Sequence, residues 1–182
     1  MTTATLPPAA AHATSTPRAH THAHAPAPRW HEVPEFTVRP ARRDDGPALA
    51  ALSRPFARAG ALRERPLSLY LSRTSDFLVA QAPDGTLEGC LGLREHSAAD
   101  GVLYNFCVAA HRQGTGMGAR LLQAALARAR TRSLATLFTA TTGSGRLFLG
   151  HGFRPASPSL APADWAQSLD PARGARVLAR AL

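Results

Sequence analysis

The clearest chemistry in this chain lies in the run His111-Arg112-Gln113-Gly114-Thr115-Gly116-Met117-Gly118. An apolar stretch, Tyr104 to Ala110, leads into it, and an Ala/Leu/Arg helix pattern, Ala119 to Arg132, leads out. A strand, a glycine turn and a helix start together make a place for phosphate. Glycine lets the main chain come close and adopt conformations that a side chain forbids. The freed N–H groups at the helix start then point at an anion, helped by the helix dipole. The spacing does not suit a Rossmann dinucleotide turn, because Gly114-Thr115-Gly116-Met117-Gly118 brings the third glycine too early.

Bulk properties bound what the loop can serve. The chain has 182 residues, enough for one domain with a proper core, and 45% of them are hydrophobic. Its formal net charge of +9 comes from 21 arginines without a single lysine. That pattern reads as genome composition bias rather than a nucleic-acid surface. No uniformly basic helix with interleaved aromatics supports a nucleic-acid role. Positive charge suits anionic small molecules equally well. Cys90 and Cys107 both sit in apolar strand-like runs, which predicts reduced, buried thiols and a cytoplasmic setting. No apolar run reaches the length of a membrane span.

Several elements must position the loop. Residues 1–35 are Ala-, Pro- and His-rich without periodicity, so a disordered tail is expected before a domain over 36–182. His20, His22 and His24 alternate there and read as solvated tail rather than a metal site. Phe36 to Arg39 reads as the first strand, and Asp44-Asp45-Gly46-Pro47 as a helix start. Pro55 should bend or end that helix, and Leu62 to Leu71 reads as a second. Asp84-Gly85 joins two apolar runs as a hairpin turn, with strands over Asp76 to Gln81 and Thr86 to Arg94. A fourth strand, Gly101 to Val108, feeds the loop. Met117, Leu121, Leu122, Ala125 and Ala129 form the inward stripe of the next helix, with Arg120, Arg128 and Arg132 outward. Leu134 to Thr139, a short helix over Ser144 to Leu149, a proline-rich connection from Pro155 to Pro162 and a last strand from Arg176 complete the order.

Gln113-x-x-Gly116-x-Gly118 resembles the pyrophosphate loop of the GNAT family of N-acetyltransferases, and the resemblance extends over Phe36 to Leu182. It implies an α/β fold with a mixed, mostly antiparallel sheet of about seven strands and about four helices. It also implies acetyl-CoA as co-substrate and no metal. Residues Phe106, Cys107, Val108, Gln113, Gly114, Thr115, Gly116, Met117, Gly118 and Phe148 fall on the family's acetyl-CoA positions. The match narrows to the acetyltransferase domain of N-acetylglutamate synthase. It is carried by Arg39-Pro40-Ala41, Arg54-Pro55-Phe56, Leu137-Phe138-x-x-Thr141-Thr142 and Arg173-Gly174-Ala175-Arg176-Val177-Leu178. The implied activity is direct transfer of acetyl to the α-amino group of an amino acid, glutamate first, in arginine biosynthesis. The implied partners are a small amine or amino acid, with no nucleic acid and no membrane, and with room for a homodimer.

The resemblance also assigns roles. Cys107 or Val108 is placed to offer an N–H to the thioester oxygen. Thr141 matches a position proposed to assist the reaction. Arg65 and Arg173 fall on substrate-binding positions, where guanidinium forks suit carboxylates. One departure stands out. The family's catalytic glutamate, at the start of the fourth strand, is replaced by Val102, which cannot take a proton. Tyr104, Glu95, Asp100 or water alone could stand in. Otherwise the acceptor is another amine, or the chain is a catalytically weak acyl-CoA-binding partner. The family's terminal serine becomes Ala175.

Overall fold

The structure, a computed structural model, describes residues 36–182. The 1–35 tail and its alternating histidines lie outside the described residues. Seven strands form one sheet in the order β1-β2-β3-β4-β5-β7-β6. They are β1 (Thr37–Pro40), β2 (Phe77–Gln81), β3 (Leu87–Glu95), β4 (Asp100–Val108), β5 (Thr136–Thr141), β6 (Arg154–Pro155) and β7 (Arg176–Ala181). All neighbouring pairs are antiparallel except β4 with β5. The expected mixed, mostly antiparallel sheet is therefore present.

Among the described residues five α-helices cover it: α1 (Gly46–Arg58), α2 (Leu67–Ser72), α3 (Met117–Thr131), α4 (Arg146–Gly150) and α5 (Ala163–Gln167). Strand alternation splits the core into two faces. Leu78, Leu91, Leu93, Leu103 and Leu137 meet the stripe Met117, Leu121, Leu122, Ala125 and Ala129 of α3. Phe77, Val79, Cys90 and Cys107 meet Leu49 and Tyr70 from α1 and α2 on the opposite face.

Three departures from expectation have local causes. Pro55 neither ends nor breaks α1, which runs on to Arg58. It sits near the last turn, where losing one main-chain bond is cheap. The second helix starts at Leu67 rather than Leu62, because Pro66 caps it in an extended conformation and disfavours helix at Arg65. Arg65 therefore lies in the connection before α2. Finally, α5 occupies a stretch that follows the proline-rich connection and carries no long apolar period. Its Trp165 packs on Phe138, with ring centroids 6.5 Å apart.

The outward arginines of α3 are clamps rather than free solvent charges. Arg120 lies 4.6 Å from the Phe36 ring centroid. Arg128 donates to the carbonyls of Ser75 and Phe77, and Arg132 pairs with Glu95 at 2.6 Å.

Candidate functional site

The glycine loop is held open from both sides. Gly114 and Gly116 have φ of 81° and 85°, in the left-handed region that glycine alone enters freely. A Cβ at either would meet nothing within 4 Å, so the turn is not plugged by its own side chains. Gly116 caps α3 without a side-chain bond. The N–H groups of Gly114 and of Gly116 through Ala119 find no acceptor among the described residues. A set of unpaired amides at the start of a helix of 15 residues is an anion site.

The approach to the loop is anchored by a residue that sequence reading missed. Glu88 of β3 is buried, and it accepts from Arg112 Nε at 2.7 Å and lies 3.0 Å from His111 Nε2. Two basic side chains beside the loop are thereby committed to structure. The signal was a single glutamate inside the apolar run Leu87 to Leu93. Thr115 turns its hydroxyl back to the Arg112 carbonyl at 2.7 Å.

A gap in the sheet adjoins the loop. β4 and β5 pair at Asp100–Thr136, Gly101–Leu137 and Val102–Phe138, and no further. Beyond that point β4 carries a bulge. Cys90 opposes Cys107 and Gly92 opposes Tyr104, so Asn105 and Phe106 share one partner position. Asn105 takes φ 50° there, held by bonds from Tyr70 Oη at 3.1 Å and to Ser53 Oγ at 2.8 Å. The ladder then decides which amide faces the gap. Ala109 N–H donates to Glu88 O, so alternation turns the main-chain groups of Cys107 toward β3 and those of Val108 away from it. Consistently, the Val108 carbonyl is met from outside by Gln113 Nε2 at 3.1 Å.

Of the two candidates for the oxyanion N–H, Val108 has the geometry. The Cys107 side chain points into the core, with its Sγ 3.5 Å from Cys90 Sγ. Hydrogen bonding to Cys90 and burial push its thiol well above the ordinary range, so it stays neutral. Both cysteines are free and buried, as their apolar context predicted. Phe106 and Phe148 pack edge to face at 5.7 Å beside the gap, with Phe148 buried.

On the α1/α2 face of β4 lies a cleft of about 320 Å³. Arg65, Arg94, His96, Val102, Tyr104 and Arg173 are on its wall. Gly92 makes room for the Tyr104 ring, since a Cβ there would meet the ring at 2.6 Å. Arg65 and Arg94 flank that ring, with guanidinium carbons 5.0 and 5.6 Å from its centroid. Their Nε atoms are buried and make no hydrogen bond among the described residues. Arg94 Nε has only Asp76 Oδ2, at 3.6 Å, for an ionic neighbour. Burial pulls the Arg65 guanidinium below its ordinary value, which reflects the cost of a desolvated cation without a partner.

The remaining predicted residues divide. Arg173 is on the cleft wall and also donates to the Gly60 carbonyl at 2.8 Å, tying the last turn to the connection after α1. Tyr104 lines the cleft, but its hydroxyl donates to Asp76 at 2.8 Å. Burial and that carboxylate push the hydroxyl well above its ordinary range. Thr141 lies off the cleft wall, with its Oγ1 accepting from Gly143 N–H at 3.2 Å, while Thr142 is on the wall. Val102 is 1% exposed and packs with Phe138 and Val177. Glu95 and Asp100 are engaged elsewhere, with Arg132 and Ser97 respectively. His96 and Asp76 were missed. Their signal was position, His96 two residues beyond Arg94 and Asp76 directly before β2. Among the described residues no cluster suits a metal ion, and no helix is long and apolar enough to cross a membrane.

Comparison with known proteins agrees with this geometry. Residues 73–155 match the model of the Acetyltransferase (GNAT) domain. An amino-acid acetyltransferase of Neisseria meningitidis is 33% identical over 127 residues, covering 69% of this chain and 29% of the relative. The N-acetylglutamate synthase of Neisseria gonorrhoeae, solved with coenzyme A and N-acetyl-glutamate, superposes with a TM-score of 0.76 at 30% identity. That match covers 81% of this chain and 35% of the synthase. A Mycobacterium tuberculosis protein, solved with CoA and NLQ, superposes with a TM-score of 0.70 at 25% identity, covering 80% of this chain and 99% of its own. The chain thus spans about a third of the length of the Neisseria proteins it matches. An open anion-binding loop at the head of α3, a sheet that parts beside it and these matches make the chain a member of the GNAT acetyltransferase family.

Proposed function

We propose that this protein transfers acetyl from acetyl-CoA to the α-amino group of an acidic amino acid, with glutamate as first-choice acceptor, and so makes N-acetylglutamate for arginine biosynthesis. The observation that carries the acceptor class is the pair Arg65 and Arg94. Both lie on the wall of one small cleft, and neither Nε makes a hydrogen bond among the described residues. A substrate carboxylate is the ligand that such guanidinium groups pair with.

The residues fit the co-substrate. The free amides of the loop suit a diphosphate, and the gap between β4 and β5 suits a narrow arm leading to the cleft. Acetyl-CoA supplies an activated acyl thioester. The Val108 N–H is the donor aimed at that thioester's oxygen as negative charge develops, a role worth about 10²- to 10³-fold in rate. The cleft takes its wall from β4 up to Asn105 and from Ala140 and Thr142 at the end of β5, and so adjoins the gap, which supports direct transfer with both substrates bound.

The test is thiol release from acetyl-CoA with a panel of amino acids. Glutamate should give the highest kcat/KM, and neutral amino acids of similar length should fall about tenfold or more below it. Absence of turnover with every acidic or related amino acid would remove the reading. A second reading, an acyl-CoA-binding partner of low activity, draws on Val102 alone. It predicts CoA binding without turnover, and activity gained by Val102→Glu.

A further inference from the structure

An ammonium group must lose a proton before its nitrogen can attack, and Val102 leaves the start of β4 without an acceptor for it. The nearby acids are occupied. Glu95 is 2.6 Å from Arg132 Nη1, and Asp100 accepts from Ser97 at 3.1 Å. Tyr104 keeps its proton and donates it in a hydrogen bond to Asp76.

His96 is different. It sits one residue beyond the end of β3, where its N–H still bonds to the Asp100 carbonyl at 2.9 Å. Arg94 pairs across with Val102. Extended backbone puts His96 on the same face as Arg94, diagonal to the vacated position. Its side chain is only 9% exposed and forms part of the cleft wall. Nδ1 lies 3.4 Å from Asp164 Oδ2, on α5. Trp165, the next residue, anchors that short helix against Phe138. With Nδ1–H turned to the Asp164 carboxylate, the Nε2 lone pair is the one free to accept. The 3.4 Å separation is loose, as such contacts often are before substrate tightens them.

We propose that His96, oriented by Asp164, is the base that takes the proton from the acceptor's ammonium group. The proposal rests on the transferase reading above. In the step, an N–H bond of the ammonium breaks and an Nε2–H bond forms. The freed nitrogen lone pair bonds to the acetyl carbon as the C–S bond breaks. The second N–H proton goes to the departing sulfur, and the imidazolium returns its proton to solvent. The other charged groups on the cleft are Arg63, Arg65, Arg94, Arg173 and Asp170, the last accepting from Ala172 N–H at 2.9 Å. The excess of cations favours the unprotonated form of a bound amine. His96 is thus the catalytic residue, and Asp164 is a positioning residue.

The experiment measures kcat and KM across pH with glutamate as acceptor, for wild type, His96→Gln, Asp164→Ala and the double variant. His96→Gln is expected to lose about 10²-fold or more in kcat, to lose the acidic limb of the profile, and to keep its KM for acetyl-CoA. Asp164→Ala, at an 80% exposed side chain, should leave the fold intact. It should lower kcat about tenfold with KM held, and add nothing in the His96→Gln background. Added imidazole should restore part of the kcat of His96→Gly. A His96→Gln enzyme within about threefold of wild type and with the same pH profile overturns the proposal alone. If His96→Gln does not fold, an unchanged kcat in Asp164→Ala overturns it. A wild type that turns over no amine overturns the transferase reading and the proposal together.

Discussion

The loop from Gly114 to Gly118 offers main-chain amides, whereas the cleft beside β4 offers side chains. The first is built within a few consecutive residues, and its donors exist because the helix begins there. The second is assembled from separated stretches: the connection before α2, the end of β3, β4, the end of β5, and the segment from α5 to the turn before β7. A backbone site reads any diphosphate in the same way, so it fixes the donor. A side-chain site reads the particular charges of one acceptor, so it can change while the loop stays. Val102 and Ala175, which the sequence reading takes as departures from the family pattern, both lie on the cleft.

That contrast can be broken from either side. Gly116→Glu puts a carboxylate among the loop amides, at a residue whose φ of 85° also strains any side chain. Affinity for CoA should fall by about 10²-fold or more, since like charges repel and the cradle closes. Calorimetry with CoA checks this, and unchanged affinity would mean the phosphates bind elsewhere. Glu88→Ala attacks the support beneath the loop. It leaves Arg112, whose side chain is 11% exposed, without its carboxylate. Loss of one partner of a buried pair costs about 3–5 kcal/mol. Denaturant unfolding should show that loss, whereas a change under about 1 kcal/mol would make the pair incidental.

Arg94→Ala acts on the cleft alone. It should raise KM for a dicarboxylate acceptor by about ten- to a hundredfold, in line with losing one charged hydrogen-bonding group, and leave KM for acetyl-CoA in place. Equal rises for both substrates would erase the division between the two regions. The smallest effect belongs to neither. Asp45 is held below its ordinary carboxylate range, first by its hydrogen bond from Arg39 at 2.6 Å. A depressed folded value means this stabilisation is whole above the usual carboxylate range and disappears as the pH falls through the folded value. The pair is only partly buried, so the contribution is about 1 kcal/mol. Asp45→Asn should lower the melting temperature slightly at pH 7 and match wild type in strong acid. A gap that persists in acid would contradict that linkage.

Legibility followed the same division. The strand, glycine turn and helix around Gly114 to Gly118 are adjacent in sequence, so their spacing could be read directly. The inward stripe of α3 and the Asp84-Gly85 hairpin were legible because period and turn chemistry are local. The cleft was legible only through the family resemblance, which pointed to Arg65, Arg173 and Tyr104, because no local rule says that they converge with Arg94 and His96. Arg65 was expected in a helix, and Pro66 moved it into a connection where it reaches Tyr104. Cys107 and Val108 stood equal in sequence, and only the register with β3 separates their amides. Helix α5, which carries Asp164 and Trp165, is held chiefly through Trp165 on the cluster of Val102, Phe138 and Val177 rather than by a repeated apolar stripe.

The central claim is that the amides around Gly114, Gly116 and Gly118 hold paired phosphates. An amide ¹H–¹⁵N spectrum of the whole chain, titrated with CoA, addresses it directly. The account predicts that these amides, with those of Met117 and Ala119, shift farthest and saturate together. Saturable CoA binding that leaves them in place and moves signals elsewhere would contradict it.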